Sequence, residues 1–187
     1  MNDISGLSIQ ELAALICESL KNEGLKTTLS GGACAEIYSN KKYVTGDLDF
    51  VVNYIWPENQ KIIDRVMTRL GFEKNGRIFI NSSVPYSIEF PPGPLGIGAE
   101  DNIHPIELKF KTGILSLLSA TDSAKDRLVA YFHANDLQCL EQALIICQTN
   151  NVDMENIRKW AKHEGKPDRF KEFERRMKES REVNNSI

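Results

Sequence analysis

Residues 30–50 read SGGACAEIYSNKKYVTGDLDF, a glycine pair and an acidic pair joined by a short polar and helix-forming stretch. If DLDF is a strand, Asp47 and Asp49 project from one face while Leu48 and Phe50 point to the other, because side chains alternate along a strand. Two carboxylates that close repel each other unless they accept hydrogen bonds or share a cation, and oxygen ligands suit a hard ion such as Mg²⁺ or Mn²⁺. An isolated Asp-x-Asp is more often a solvated strand edge. The Gly31-Gly32 pair upstream changes that balance, since a glycine turn entering a helix brings backbone N–H groups to a phosphate. Strand, glycine turn, short helix and acidic strand would return the carboxylates to the side of the sheet where the turn lies.

Outward from this stretch, Ser8 and Glu11 form a Ser-x-x-Glu capping box, Leu12, Leu15, Ile16 and Leu20 give an apolar stripe, and Gly24 supplies a helix stop. LKTTLS then reads as a strand, and DLDFVVNYI as a second. Pro57 opens a further helix carrying Ile62, Ile63, Val66, Met67 and Leu70, ended by Gly71. FEKNGRIFIN is a hairpin with Asn75-Gly76 at its turn. VPYSIEFPP and IELKF are strands separated by PGPLGIGAEDNIHP, whose Pro and Gly exclude regular structure and which borders the cleft. GPLGIG in that loop matches neither a P-loop nor a dinucleotide fingerprint.

From Asp122 onward every periodic signal is helical: SAKDRLVAYFHA, LQCLEQALIICQ, MENIRKWAKHE capped by Asp153, and RFKEFERRMKES. Phe170, Phe173 and Met177 fall at helical spacing and predict a stripe packed on the body. The expected fold class is α+β: a mixed sheet flanked by helices over 1–118, with a helical bundle over 119–187 and a frayed end at VNNSI.

A third carboxylate is expected near the aspartates. Glu89, between Ile88 and Phe90, has acid on one face and apolar neighbours on the other. Glu107 in PIELKF shows the same alternation. Glu89 is preferred because it precedes the loop where the chain changes direction. Either residue, taken alone, also suits an edge-strand charge that deters aggregation.

These residues resemble the DNA polymerase β-like nucleotidyltransferase superfamily, whose signature is Gly-Gly or Gly-Ser, a short helix, Asp-x-Asp and a third acid. SGG at 30–32 and DLDF at 47–50 carry the match. Within it the chain looks most like small bacterial nucleotidyltransferases related to AbiEii abortive-infection toxins. Those also carry a Lys and an Asp in the helical segment, which AKDRLVAYFHAND supplies through Lys125 or Asp126 and Asp136. The third acid here is Glu where Asp is commoner. The resemblance implies a nucleoside triphosphate donor and transfer of a nucleotidyl group to a hydroxyl of RNA, protein or a small molecule. It also brings an antitoxin protein as a candidate partner. Asp47, Asp49 and Glu89 would be catalytic and hold the metal, while Ser30, Gly31, Gly32, Lys125, Asp126 and Asp136 would meet the nucleotide. For Lys125 and Arg127 a solvated helix face is an equally ordinary role. The alternative function is a decayed site of the same fold that senses a nucleotide or docks on a protein.

Composition bounds these readings. In 187 residues, 41% are hydrophobic and 26% charged, values of an ordinary globular chain and not of a disordered one. No apolar run approaches the roughly 18–20 residues of a membrane span, and the first residues lack a secretory layout, so a cytoplasmic protein with no membrane contact is expected. Cys17, Cys34, Cys139 and Cys147 are spaced singly, which predicts buried thiols. His104, His133 and His163 lack a ligand spacing. The net charge of −3 gives no overall footprint for nucleic acid.

Overall fold

The capping box forms as the sequence demands. The Ser8 hydroxyl accepts the Glu11 N–H at 3.3 Å, and the Glu11 carboxylate accepts the Ser8 N–H at 3.0 Å, opening α1 (Ile9–Lys21). Its buried stripe contains Leu12, Ile16 and Leu20, and Gly24 turns the chain at φ +82°. β1 (Thr27–Ser30) runs into α2 (Gly31–Tyr38), followed by β2 (Asp47–Val52). This computed structural model describes residues 4–52 and 57–184. The expected continuation of β2 through Asn53, Tyr54 and Ile55 therefore lies outside the described residues, as does the end of the VNNSI tail.

α3 (Pro57–Arg69) buries Ile63, Val66 and Met67, and Gly71 at φ +87° ends it. β3 (Glu73–Asn75) and β4 (Ile78–Ile80) make the expected hairpin with one shift in register. Asn75 pairs with Ile78, so the two-residue loop is Gly76-Arg77. A positive φ at Gly76 alone matches a type II′ turn, which places glycine first. β5 (Ser87–Glu89) and β6 (Ile106–Phe110) follow, then β7 (Gly113–Leu117), a strand the sequence reading left unassigned at the end of the α/β core. The helices are α4 (Ala120–Ala134), α5 (Leu137–Thr149), α6 (Met154–His163) and α7 (Pro167–Asn184). The fold class is α+β, as expected.

The strands form one mixed sheet in the order β3-β4-β5-β2-β1-β7-β6. β2 lies at its centre, antiparallel to β1 and parallel to β5. Thr27, opposite Val52, bonds Cys17 of α1 through its hydroxyl at 3.5 Å. The face bearing Leu48, Phe50 and Val52 is therefore the one α1 covers. Phe50 stacks on Phe90 at 5.8 Å, and Phe79 meets Phe90 edge-on at 5.7 Å. Phe50 and Phe79 are buried and Phe90 half-buried; full burial of such a side chain stabilises by about 1.5–3 kcal/mol, so this face anchors the sheet and leaves the acidic face free for chemistry.

The helical region shares the same continuous core. Tyr38, at the end of α2, donates its hydroxyl to the Leu118 carbonyl at 2.7 Å, and its own carbonyl accepts from Thr149 and Asn150 of the α5 end. Phe170, Phe173 and Met177 are buried, and all four cysteines are free and buried. Among the described residues no helix is long and apolar enough to cross a membrane.

Candidate active site

Three neighbouring strands align the functional side chains. Ser30 lies opposite Asp49 in the β1–β2 ladder, and Asp49 lies opposite Glu89 in the β2–β5 ladder. Residues paired across a ladder point to the same face, and adjacent strands are about 4.8 Å apart, so the serine and two carboxylates form a row over two strand spacings. Asp47 is on the same face, two residues before Asp49. Glu107 is on β6 at the far sheet edge, three strands from β2, and is exposed.

Local contacts hold this row in place. The Thr45 hydroxyl donates to Asp47 Oδ1 at 2.7 Å, and the Thr45 N–H donates to Glu36 Oε2 at 2.7 Å. Glu36 is buried and also accepts from the Tyr86 hydroxyl at 3.3 Å. Glu36 and Thr45 thus steer the chain into Asp47. The sequence reading did not select either, although an acid inside an otherwise apolar short helix was a visible signal. Gly31 adopts φ +68°, and a Cβ there would stand 2.5 Å from Asp49 Oδ2; one at Gly32 would stand 2.8 Å from Thr45 Oγ1. The glycine pair is therefore required by close approach of the acidic strand and its threonine support.

A cleft of about 400 Å³ opens beside this row. Asp49 and Val51 contribute from β2, Ser30 and Gly31 from the turn, and Asp126 and Arg127 from α4, with Pro94–Gly96 opposite. Arg127 is held rather than free: Nε and Nη2 donate to Asp126 Oδ2 at 3.1 and 2.5 Å, and Nη1 reaches Gln142 at 3.5 Å. Burial pushes the Asp49 carboxyl up to about 6, with the charges of Asp47, Glu89 and Asp126 adding to the rise and Arg127 opposing it.

Lys125 is placed elsewhere. It is only 2% exposed, and its ammonium meets Glu100 at 2.7 Å and Asp122 at 3.3 Å, outside the cleft lining. Asp136 caps α5, accepting the Cys139 N–H at 3.0 Å, and this bond holds its carboxyl below the usual range. Arg127, next to Asp126 and two residues after Lys125, is the cation that lines the cleft; for it the sequence reading weighed a functional role evenly against a solvated face.

No group of three His, Cys, Asp or Glu side chains is drawn together at metal-ligating distance among the described residues. The donor set nevertheless fits a hard divalent ion. Three carboxylates occupy one face of two adjacent strands, their mutual repulsion contributes to the raised pKa of Asp49, and the guanidinium opposite is already engaged by Asp126.

Central acidic strand, glycine turn and flanking helices define a nucleotidyltransferase-like fold. Among solved structures, the chain is similar to an antigenic nucleotidyltransferase-like protein from Paracoccidioides brasiliensis. The TM-score is 0.53 at 11% identity, over 73% of this chain and 75% of that one. It is also similar to the antibiotic-resistance factor ANT(2″)-Ia in solution, with TM-score 0.52 and 11% identity over 94% and 97% of the two chains. The crystal structure of ANT(2″)-Ia in complex with adenylyl-2″-tobramycin gives TM-score 0.50 and 12% identity over 88% and 97%. At these identities the likeness is one of fold. No protein family and no curated protein matches the sequence.

Proposed function

We propose that this cleft transfers a nucleotidyl group from a nucleoside triphosphate to a hydroxyl acceptor. The supporting observation is the register that sets Ser30, Asp49 and Glu89 in one row beside the Gly31 turn. Asp47, Asp49 and Glu89 would hold Mg²⁺ or Mn²⁺, which offsets phosphate charge and acidifies the acceptor hydroxyl. Ser30 and the backbone of Gly31 and Gly32 meet the phosphates at the start of α2. Arg127, fixed by Asp126, counters the charge that grows on pyrophosphate as the bond to the α-phosphorus breaks. Glu89 takes the proton of the acceptor hydroxyl as its oxygen attacks that phosphorus.

Lys125 belongs to this proposal as a cation that reaches the phosphates by exchanging Glu100 for them, and Asp136 as the cap that orders α5 behind Arg127. The AbiEii-like spacing supports RNA or protein as acceptor and an antitoxin as partner. The tobramycin adduct in one structural neighbour adds an aminoglycoside as a third acceptor class to assay.

Pyrophosphate release with Mg²⁺, and its loss with chelator, tests the reading when measured on two variants. Glu89→Gln should lower turnover on the order of a hundredfold, the usual reach of losing a general base. Glu107→Gln, at the far sheet edge, should leave it within about twofold. Metal-dependent triphosphate binding without release would select the nucleotide-sensing alternative.

A further inference from the structure

β6 is the outer strand of the sheet, and among the described residues it pairs with β7 alone. The direction of its free peptide groups follows from its neighbour. Ile114 of β7, opposite Lys109, gives its N–H to Glu18 of α1 at 3.1 Å, and Leu118 gives its N–H to the Leu29 carbonyl of β1 at 3.1 Å, so both point away from β6. Peptide groups alternate in direction along a strand, so Ser116, between these two, also points away. In an antiparallel ladder the two residues of a non-bonded pair turn their N–H and C=O groups away from each other. Lys109, opposite Ile114, and Glu107, opposite Ser116, therefore direct theirs to the open edge. Pro105, which has no N–H, closes this row at one end, and the Lys111-Thr112 turn closes it at the other.

The side chains constrain what can join this edge. IELKF alternates apolar and charged residues, and its two charges are opposite in sign about Leu108. Glu107 and Lys109 are exposed and have no ion-pair partner among the described residues. Ile106 is 37% exposed, while Leu108 and Phe110 are half-buried against the core. An antiparallel strand added here must set a base opposite Glu107, an acid opposite Lys109 and apolar side chains at the other three positions. β6 of a second copy, read in reverse, does this: it sets Phe110 opposite Ile106, Lys109 opposite Glu107, and Leu108 opposite Leu108. The same register bonds the outward N–H and C=O groups of Glu107 to those of Lys109 in the second copy. Moving the axis one residue either way sets Glu107 on Glu107 or Lys109 on Lys109, so like charges oppose both slips.

We propose that β6 is a self-pairing edge, through which two copies of this chain join antiparallel about Leu108 into one continuous sheet. Opposite residues of an antiparallel pair share a face, so both clefts open on the same side of the joined sheet. A strand pair of 5 residues lies at the small end of protein interfaces, and the association is accordingly weak. Sedimentation equilibrium of the full chain from about 1 µM to about 1 mM should show the mass passing from one copy to two. Glu107→Lys and Lys109→Glu should each remain a single copy throughout, with the melting temperature of the parent. An equimolar mixture of the two variants, and the double variant, should recover the dimer, because each restores opposite charges across the axis. Amide exchange at Glu107 and Lys109 should slow about tenfold or more in the dimer, while Leu108, already bonded to β7, should change little. A single copy at every concentration overturns the proposal. A dimer that survives both single substitutions places the contact on another surface, and a mixture that stays monomeric refutes the register; either result overturns it as well.

Discussion

Asp49 lies where the glycine turn, the carboxylate row and the cleft meet, and its titration should govern how the metal-free protein responds to pH. Its folded pKa is raised to about 6 by burial first and by Asp47 and Glu89 next. The folded state therefore holds a proton that the unfolded chain releases at about pH 4. Stability falls as pH rises from about 4 to about 6, and the cost is fully present above that window. Asp49→Asn removes it. In chelator at pH 7, urea unfolding should show the variant more stable by on the order of 1–2 kcal/mol, a figure reduced for partial solvent access, with the gain absent at pH 4. A destabilised variant at pH 7 would refute the electrostatic account. Gly31 should behave oppositely. Ala at φ +68° is strained, and its Cβ would overlap the Asp49 carboxylate, so Gly31→Ala should lower stability by about 1–3 kcal/mol in the same assay. Unchanged stability there would mean the turn can relax away from Asp49.

At the scale of elements, the acidic strand was legible because its alternation is strict: Leu48 and Phe50 are buried while Asp47 is exposed. The Ser8–Glu11 capping box and the Phe170, Phe173, Met177 stripe were legible for the same reason, since local spacing determines them. β7 was not, because GILSL runs without a breaker into the Ser119-capped helix, and only its pairing with β1 and β6 distinguishes it. The burial of Lys125 had a usable signal that the sequence reading passed over. The residue falls three and seven residues before the buried Leu128 and Phe132, a phase that turns it inward. There it fastens the 91–105 loop to α4 through Glu100, while Trp160 of α6 donates to the Ile97 carbonyl at 3.3 Å and Glu164 accepts the Ala99 N–H at 2.5 Å. Lys125→Met leaves Glu100 and Asp122 without their cation. Because Glu100 is 34% exposed and can rehydrate, the cost should be about 2 kcal/mol rather than the larger penalty of a fully buried pair. Hydrogen exchange should quicken at the Ile97 and Glu100 amides, which bond each other across the loop. Unaltered exchange there would show that α6 alone pins the loop.

For the whole molecule, the sheet order explains why one candidate acid meets the aspartates and the other does not. Glu89 and Glu107 have the same local pattern, and only the placement of β5 beside β2, with β6 at the opposite edge, tells them apart. Long-range pairing of this kind leaves no trace in the spacing of a single sequence, and the same holds for Arg127, whose exposure depends on how α4 and α5 close over the sheet. The function proposed for the cleft is transfer of a nucleotidyl group. It is tested most directly with triphosphates labelled at the α- or the γ-phosphate, incubated with the chain, Mg²⁺, cellular RNA, protein and an aminoglycoside. The expected result is α-label in one acceptor fraction with equimolar pyrophosphate, no transfer of γ-label, and loss of the signal in Asp49→Asn. Transfer of γ-label, α-label in no fraction, or full incorporation by Asp49→Asn would contradict it.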